Sequence, residues 1–247
     1  MTNKSHQTEE CSEKREQPIL EIPNACPKQI PWSNEESGTS RFSSILKALT
    51  NTTQIDYSID ICSIPTSGLS IYVDEEKFSK LCESGCTNYA KKWSCPPFSP
   101  HLVDFIALWE KLFVFYLRVN IEQFSYIRND YLKVRAANSV LKSRVDLFLR
   151  KMAEKYGSYI STGSCRLCKP CKCKVGMPCM HPDKMAYSFE AMGVDVDQLV
   201  NKLFQKPLLW YKPRCLPKYT SVVCGLLTNE VLTANNLYDE YIKQIIK

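Results

Sequence analysis

Five cysteines fall within the run GSCRLCKPCKCKVGMPCMHP at 163–182. This run constrains the chain more than any other feature. Cys165, Cys168 and Cys171 follow one another at x2 spacing, and Cys179 comes seven intervening residues later, with Cys173 between. Such spacing lets a tight loop turn several thiols toward one point. That point can be a disulfide, a zinc ion, an iron–sulfur cluster or nothing.

The rest of the chain narrows the choice. The N-terminal stretch MTNKSHQTEECSEKREQP is polar and lacks a signal-type apolar segment. The longest clearly apolar run, Leu112–Leu117, is far too short to span a bilayer. A cytoplasmic protein with no membrane partner is therefore expected. In a reducing compartment thiols stay free. The 13 cysteines are also an odd number, so they cannot all pair within the chain. Thiols grouped this closely point to metal binding or redox chemistry.

The metal follows from the spacing. Zinc sites usually draw ligands from two separated Cys pairs. Three consecutive Cys at x2 spacing plus a remote fourth are more typical of four-iron clusters. The expected cofactor is a [4Fe–4S] cluster on Cys165, Cys168, Cys171 and Cys179, with zinc as the alternative. Cys173 breaks the x2 register and is left as a spare thiol. His181 is read as a neighbour of the site rather than a ligand.

A second set is Cys82, Cys86 and Cys95, the last followed by Pro96-Pro97. It offers three thiols. Cys62 is one possible fourth ligand, and Cys215 and Cys224 are remote options, although Cys224 reads better as a small core residue. This set either holds its own metal, with an open coordination position, or lies beside the first site and shares in it.

Charge is unevenly distributed. The chain is +6 overall, yet residues 1–40 carry four Lys/Arg against seven Glu. Residues 142–184 carry ten Lys/Arg against Asp146, Glu154 and Asp183. Four thiolates around a divalent ion or an oxidised four-iron cluster leave a residual negative charge, and nearby cations stabilise it. With no aromatic stacking platform or nucleic-acid motif in the chain, compensation is favoured over nucleic-acid binding.

Residues 1–40, with prolines at 18, 23, 27 and 31, read as a flexible leader, and Cys11 and Cys26 within it as incidental thiols. Residues 41–247 read as one cysteine-rich metal-binding domain. RFSSILKALT is expected as a short helix. YSIDICSI and LSIYV are expected as strands, and DEEKFSKLCESG as a helix. PHLVDFIALWEK reads as a helix and KLFVFYLRVNIEQF as a buried strand. Ile127, Tyr131, Val134, Leu141, Val145, Phe148, Met152 and Tyr156 mark one face of a long amphipathic helix, straight or bent, leading into the cysteine run. MAYSFEAMG and DVDQLVNKLF read as short helices, the second capped by Asp195. YTSVVCGLLT reads as a strand and the tail as a closing helix. The class is α+β, with a modest mixed sheet and flanking helices. Phe113, Phe115, Tyr116, Phe124 and Phe148 are expected in the core.

Three segments, CTNYAKKWSCPPFSP, GSCRLCKPCKCKVGMPCMHPDKMAYSFEAMGVDV and YTSVVCGLLTNE, recur in an order that resembles the DUF2284 family of predicted metal-binding proteins. The resemblance covers roughly residues 60–228. It rests on Tyr89, Trp93, Cys95, Pro96 and Pro97; on Cys165, Cys168, Cys171, Cys179 and Pro182; and on Ser188, Glu190, Ala191 and Gly193. Met180 and Met185 depart from the basic residues usual there, and Cys173 is extra to the pattern. The resemblance implies a metal centre of iron–sulfur type in anaerobe-type metabolism, but no reaction. The expected role is electron transfer or redox accessory work with a redox partner protein. The other readings are a zinc-stabilised binding module and an enzyme using an open cluster site at Cys82, Cys86 and Cys95.

Overall fold

A computed structural model describes residues 40–49 and 54–245. The expected leader, apart from Ser40, lies outside them, as do Cys11 and Cys26. The strands are β1 (Arg41–Leu49), β2 (Gln54–Pro65), β3 (Lys111–Asn120), β4 (Gly157–Ile160) and β5 (Tyr219–Thr228). The helices are α1 (Glu75–Gly85), α2 (Leu102–Ile106), α3 (Asp130–Tyr156), α4 (Val196–Phe204) and α5 (Ala234–Ile245). The strands form one sheet in the order β1-β2-β3-β5-β4. The α+β class is what folds, and every strand pairing in the sheet is antiparallel.

Strand β3 lies at the centre, and this explains its unbroken apolar run. Leu112 to Leu117 are all fully buried because both faces of the sheet are covered. On one face Phe113, Phe115 and Leu117 pack with Ile55, Ile59 and Ile61 of β2 against α3 and α5. On the other, Leu112, Val114 and Tyr116 meet Leu199 and Val200 of α4 and the Leu69 segment. The five aromatics expected in the core are all there.

Helix α3 is one unbroken helix of 27 residues. Asn129 caps it, accepting from the Leu132 amide at 2.9 Å. Its buried stripe is Val134, Ala137, Leu141, Val145, Phe148, Leu149 and Met152. Tyr131, expected on that stripe, is exposed and lies against Tyr211. Gly157 stops the helix and starts β4, so a short strand separates α3 from the cysteine run.

Two local expectations are corrected. RFSSILKAL is not a helix but the edge strand β1. Phe42, Ser44 and Leu46 are half-buried while Arg41, Ser43, Ile45 and Lys47 are exposed, a period of two. Phe42 stacks on Tyr238 of α5, with ring centroids 4.0 Å apart. LSIYV is not a strand but the end of a 3-10 helix, Thr66–Tyr72. Its buried residues Leu69 and Tyr72 are three apart, as that helix requires. Helix α2 is also shorter than its segment suggested, and MAYSFEAMG forms only a 3-10 turn, Glu190–Met192.

The turn at 190–196 positions one side of the cysteine region. Gly193 adopts φ 83, and a Cβ there would sit 2.8 Å from Glu75 Cα. Asp74 N donates to Gly193 O (2.8 Å) and Asp195 N to Tyr72 O (2.7 Å). These bonds tie the start of α1 to the start of α4. Asp195 caps α4 through the Gln198 amide at 3.1 Å and pairs with Lys77 at 2.8 Å. Burial works to raise the Asp195 pKa, but hydrogen bonds from Lys77 and Gln198 outweigh it and hold the carboxyl below its ordinary value. Its stabilising contribution is therefore present above the unfolded carboxylate pKa and is lost as pH falls through the lower folded value. Asp195→Ala is expected to cost about 1–2 kcal/mol of stability through the lost cap. Urea unfolding at neutral pH checks this, and an unchanged midpoint would show that the cap contributes nothing.

Candidate metal centre

The cysteine loop is anchored at both ends. At its entry, Ser161 N donates to Tyr187 O at 2.7 Å. Thr162 donates to Asp146 of α3 through its amide (3.2 Å) and its hydroxyl (2.9 Å to Oδ2). At its exit, Arg150 donates to Lys184 O at 3.3 Å. Within the loop a 3-10 turn, Lys172–Val175, closes on left-handed Gly176 at φ 68. The Met177 amide returns to Lys172 O at 3.1 Å.

Cys165, Cys168, Cys171 and Cys179 are free, half-buried thiols. Burial raises the Cys168 pKa, and the thiols of Cys171, Cys179 and Cys165 raise it further, against Lys172. The four therefore share one electrostatic neighbourhood. The His181 amide donates to Cys179 Sγ at 3.5 Å, while the His181 side chain is exposed. Cys173 is turned elsewhere. It is buried, and its thiol approaches Ala90 O at 3.9 Å.

The second set also shares one electrostatic neighbourhood. Cys82 lies on α1, and Cys86 caps its C-terminus with its amide on Cys82 O at 2.9 Å. Burial raises the Cys82 pKa, followed by Cys86 and Glu190. Burial pushes Cys95 up to about 11, with Ser94 and Lys92 opposing and the charges of Cys86 and Cys82 adding to it. The three candidate fourth ligands are engaged elsewhere. Cys62 is fully buried in the sheet core, with Arg41 as its charged neighbour. Cys224 is fully buried in β5, with its thiol toward Phe115 O. Cys215 is disulfide-bonded, so the expectation that every cysteine is reduced does not hold there.

The two segments meet through their backbones and flanking side chains. Lys92 Nζ donates to Ser164 Oγ (2.9 Å) and Cys165 O (3.0 Å). The Cys165 amide donates to Ser94 Oγ at 3.0 Å, and Trp93 Nε1 to Met177 O at 2.9 Å. The thiols nevertheless form two sets, since the cysteines acting on Cys95 are Cys86 and Cys82 and those acting on Cys168 belong to its own loop. Segments 86–100 and 163–182 together hold Lys91, Lys92, Arg166, Lys169, Lys172 and Lys174 and no acidic residue.

The donor chemistry of the loop suits a thiophilic metal or cluster, since four thiols stand in one anchored loop among cations. Among the described residues, no three His, Cys, Asp or Glu side chains are gathered tightly enough to hold an ion. The thiols would have to turn inward to ligate.

Several residues at the site were not singled out by the sequence. Lys142 of α3 reaches toward the loop entry, its Nζ 3.6 Å from where a Cβ on Gly163 would sit. Burial lowers its pKa, as does Arg166, while Glu190 and Asp146 oppose. Tyr159 and Tyr187 both sense the loop thiols. Lys92 and Ser94 flank Cys95, and that adjacency was the one available sequence signal for them.

The fold and the two thiol sets define a cysteine-rich α+β protein whose two basic, thiol-bearing segments meet at Lys92, Ser94 and Cys165. The chain belongs to the DUF2284 family, described as predicted metal-binding protein, whose model matches residues 68–227. That span contains both cysteine sets. No curated protein and no solved structure matches the chain. No helix among the described residues is long and apolar enough to cross a membrane.

Proposed function

We propose that the chain is an iron–sulfur protein that carries a [4Fe–4S] cluster on Cys165, Cys168, Cys171 and Cys179 and serves as a cytoplasmic electron-transfer or redox-accessory protein. The observation that carries this reading is the triple x2 run with its fourth thiol, held in one loop among cations and no acids. The cluster would supply one-electron chemistry. The chain's own residues do the rest. Thr162 and Asp146 fix the loop entry, and the His181 amide donates to the Cys179 sulfur. Lys172 and its basic neighbours offset thiolate charge. Hydrogen bonds and positive charge around sulfur raise the potential of such a centre.

Anaerobically purified protein is expected to be brown, with charge-transfer absorbance that dithionite bleaches. Colourless protein carrying zinc would replace this reading with the zinc-stabilised module, for which four thiolates are equally a complete ligand set.

Cys82, Cys86 and Cys95 form the second centre in this reading. Three thiolates leave one coordination position for an outside ligand, the arrangement an enzyme would use. Serine at each of these positions in turn is expected to lower metal content per chain while sparing the first centre. Unchanged metal content in all three variants would reduce the protein to a single site.

A further inference from the structure

Single large apolar side chains are ordinary at a protein surface, but a group of them is not. Segments 86–100 and 163–182 expose such a group. Phe98, Val175, Met177 and Met180 are each between 42% and 68% exposed. Trp93 joins the two segments. Its ring lies against Phe98, with centroids 4.7 Å apart, and its indole N–H donates to Met177 O at 2.9 Å. Val175 ends the 3-10 turn just before Met177, and the Met177 amide closes on that turn at Lys172 O, 3.1 Å away. Cys173 of the same turn is buried with its thiol toward Ala90 O, so the turn is seated on the 86–100 segment.

This apolar centre has a basic border. Lys91 and Lys174 are exposed beside it. With Lys92, Arg166, Lys169 and Lys172 they are the charged side chains of the two segments, which contain no acid. An apolar centre of Trp and Met inside a polar rim is the anatomy of a protein–protein interface. The sign of the rim selects an acidic partner, drawn in by long-range attraction. A nucleic-acid strand matches the surface less well. The Trp93 and Phe98 rings stand at 58° and offer no parallel faces for stacked bases, and the rest of the centre is aliphatic and thioether.

We propose that Trp93, Phe98, Val175 and Met177, bordered by Lys91 and Lys174, form a docking surface for a small acidic redox protein. The surface itself needs no bound metal, whereas the redox character of the partner rests on the redox-accessory reading above. Trp210 supplies the control. It is 64% exposed and also lies in a basic stretch, between Lys206 and Lys212, but outside the two cysteine segments.

The test titrates the full chain with an acidic plant-type ferredoxin, in its iron form and with gallium in place of iron. The gallium form keeps charge and shape but carries no electrons. Both forms are expected to bind equally and to weaken steeply as salt is raised. Reversing Lys91 and Lys174 together to Glu should weaken binding about tenfold and flatten the salt dependence. Val175→Ser and Met177→Ser remove exposed apolar groups without changing charge, and each should weaken binding about tenfold with the salt dependence kept. Trp210→Ala should bind as wild type. Absence of binding at low salt overturns the docking surface. So does loss in the charge reversal alone, which would reduce the contact to non-specific attraction. Tighter binding of an oligothymidylate, lost in the same variants, also overturns it and assigns the surface to nucleic acid. Binding that responds to the variants as expected, but with no electron exchange with the iron form, contradicts the redox reading and leaves the surface standing.

Discussion

Serine in place of Cys168 is expected to empty the first centre while leaving the chain folded. Cys168 senses all three other thiols of its set and contributes little to the core. Iron per chain should fall to the level held by the second set, and the far-ultraviolet dichroism should stay as in wild type. Cys173→Ser is the matched control. Cys173 lies in the same loop, but it is buried and directed at the Ala90 carbonyl. Its replacement should leave metal content unchanged. If Cys173→Ser empties the centre and Cys168→Ser does not, the ligand set has been assigned wrongly.

Gly157→Ala is expected to damage the fold itself. Gly157 ends α3 and opens β4 at φ 157, opposite Thr228 of β5. A Cβ there would lie 2.1 Å from the Leu227 carbonyl oxygen and 2.9 Å from the Trp109 ring. Neither can yield easily, because Leu227 is a buried residue in paired strand and its carbonyl is backbone. Backbone strain and overpacking together should cost about 3 kcal/mol or more. The denaturant midpoint should fall accordingly. Because β4 feeds the cysteine loop, metal retention should fall with it. A variant within about 0.5 kcal/mol of wild type would show that β4 does not pack against β5 at this point.

The elements legible in the sequence were those whose pattern has one physical solution. A stripe running from Val134 to Met152 at helical spacing can only be a helix lying on a core. Six consecutive buried apolar residues in β3 reflect a strand covered on both faces. The acids opening DEEKFSKLCESG and Asp195 ahead of VDQLVNKLF marked where α1 and α4 begin. The segment at 41–49 was ambiguous by contrast. Phe42 and Leu46 are four apart, which suits a helix, and also lie on one side of a strand. Pairing with β2 and the contact with Tyr238 decide the matter, and both come from distant sequence. Leu69 and Tyr72 posed the same problem in reverse.

The candidate ligands were legible because their spacing is local. Their setting was not. Lys92 on Ser164, Ser94 on the Cys165 amide and Trp93 on Met177 join segments more than 70 residues apart.

The most direct test of the metal centre is the iron, acid-labile sulfide and zinc content of the anaerobically purified full chain. About four iron and four sulfide per chain are expected from the first centre alone, with any excess belonging to Cys82, Cys86 and Cys95. Stoichiometric zinc with no sulfide would contradict the iron–sulfur assignment.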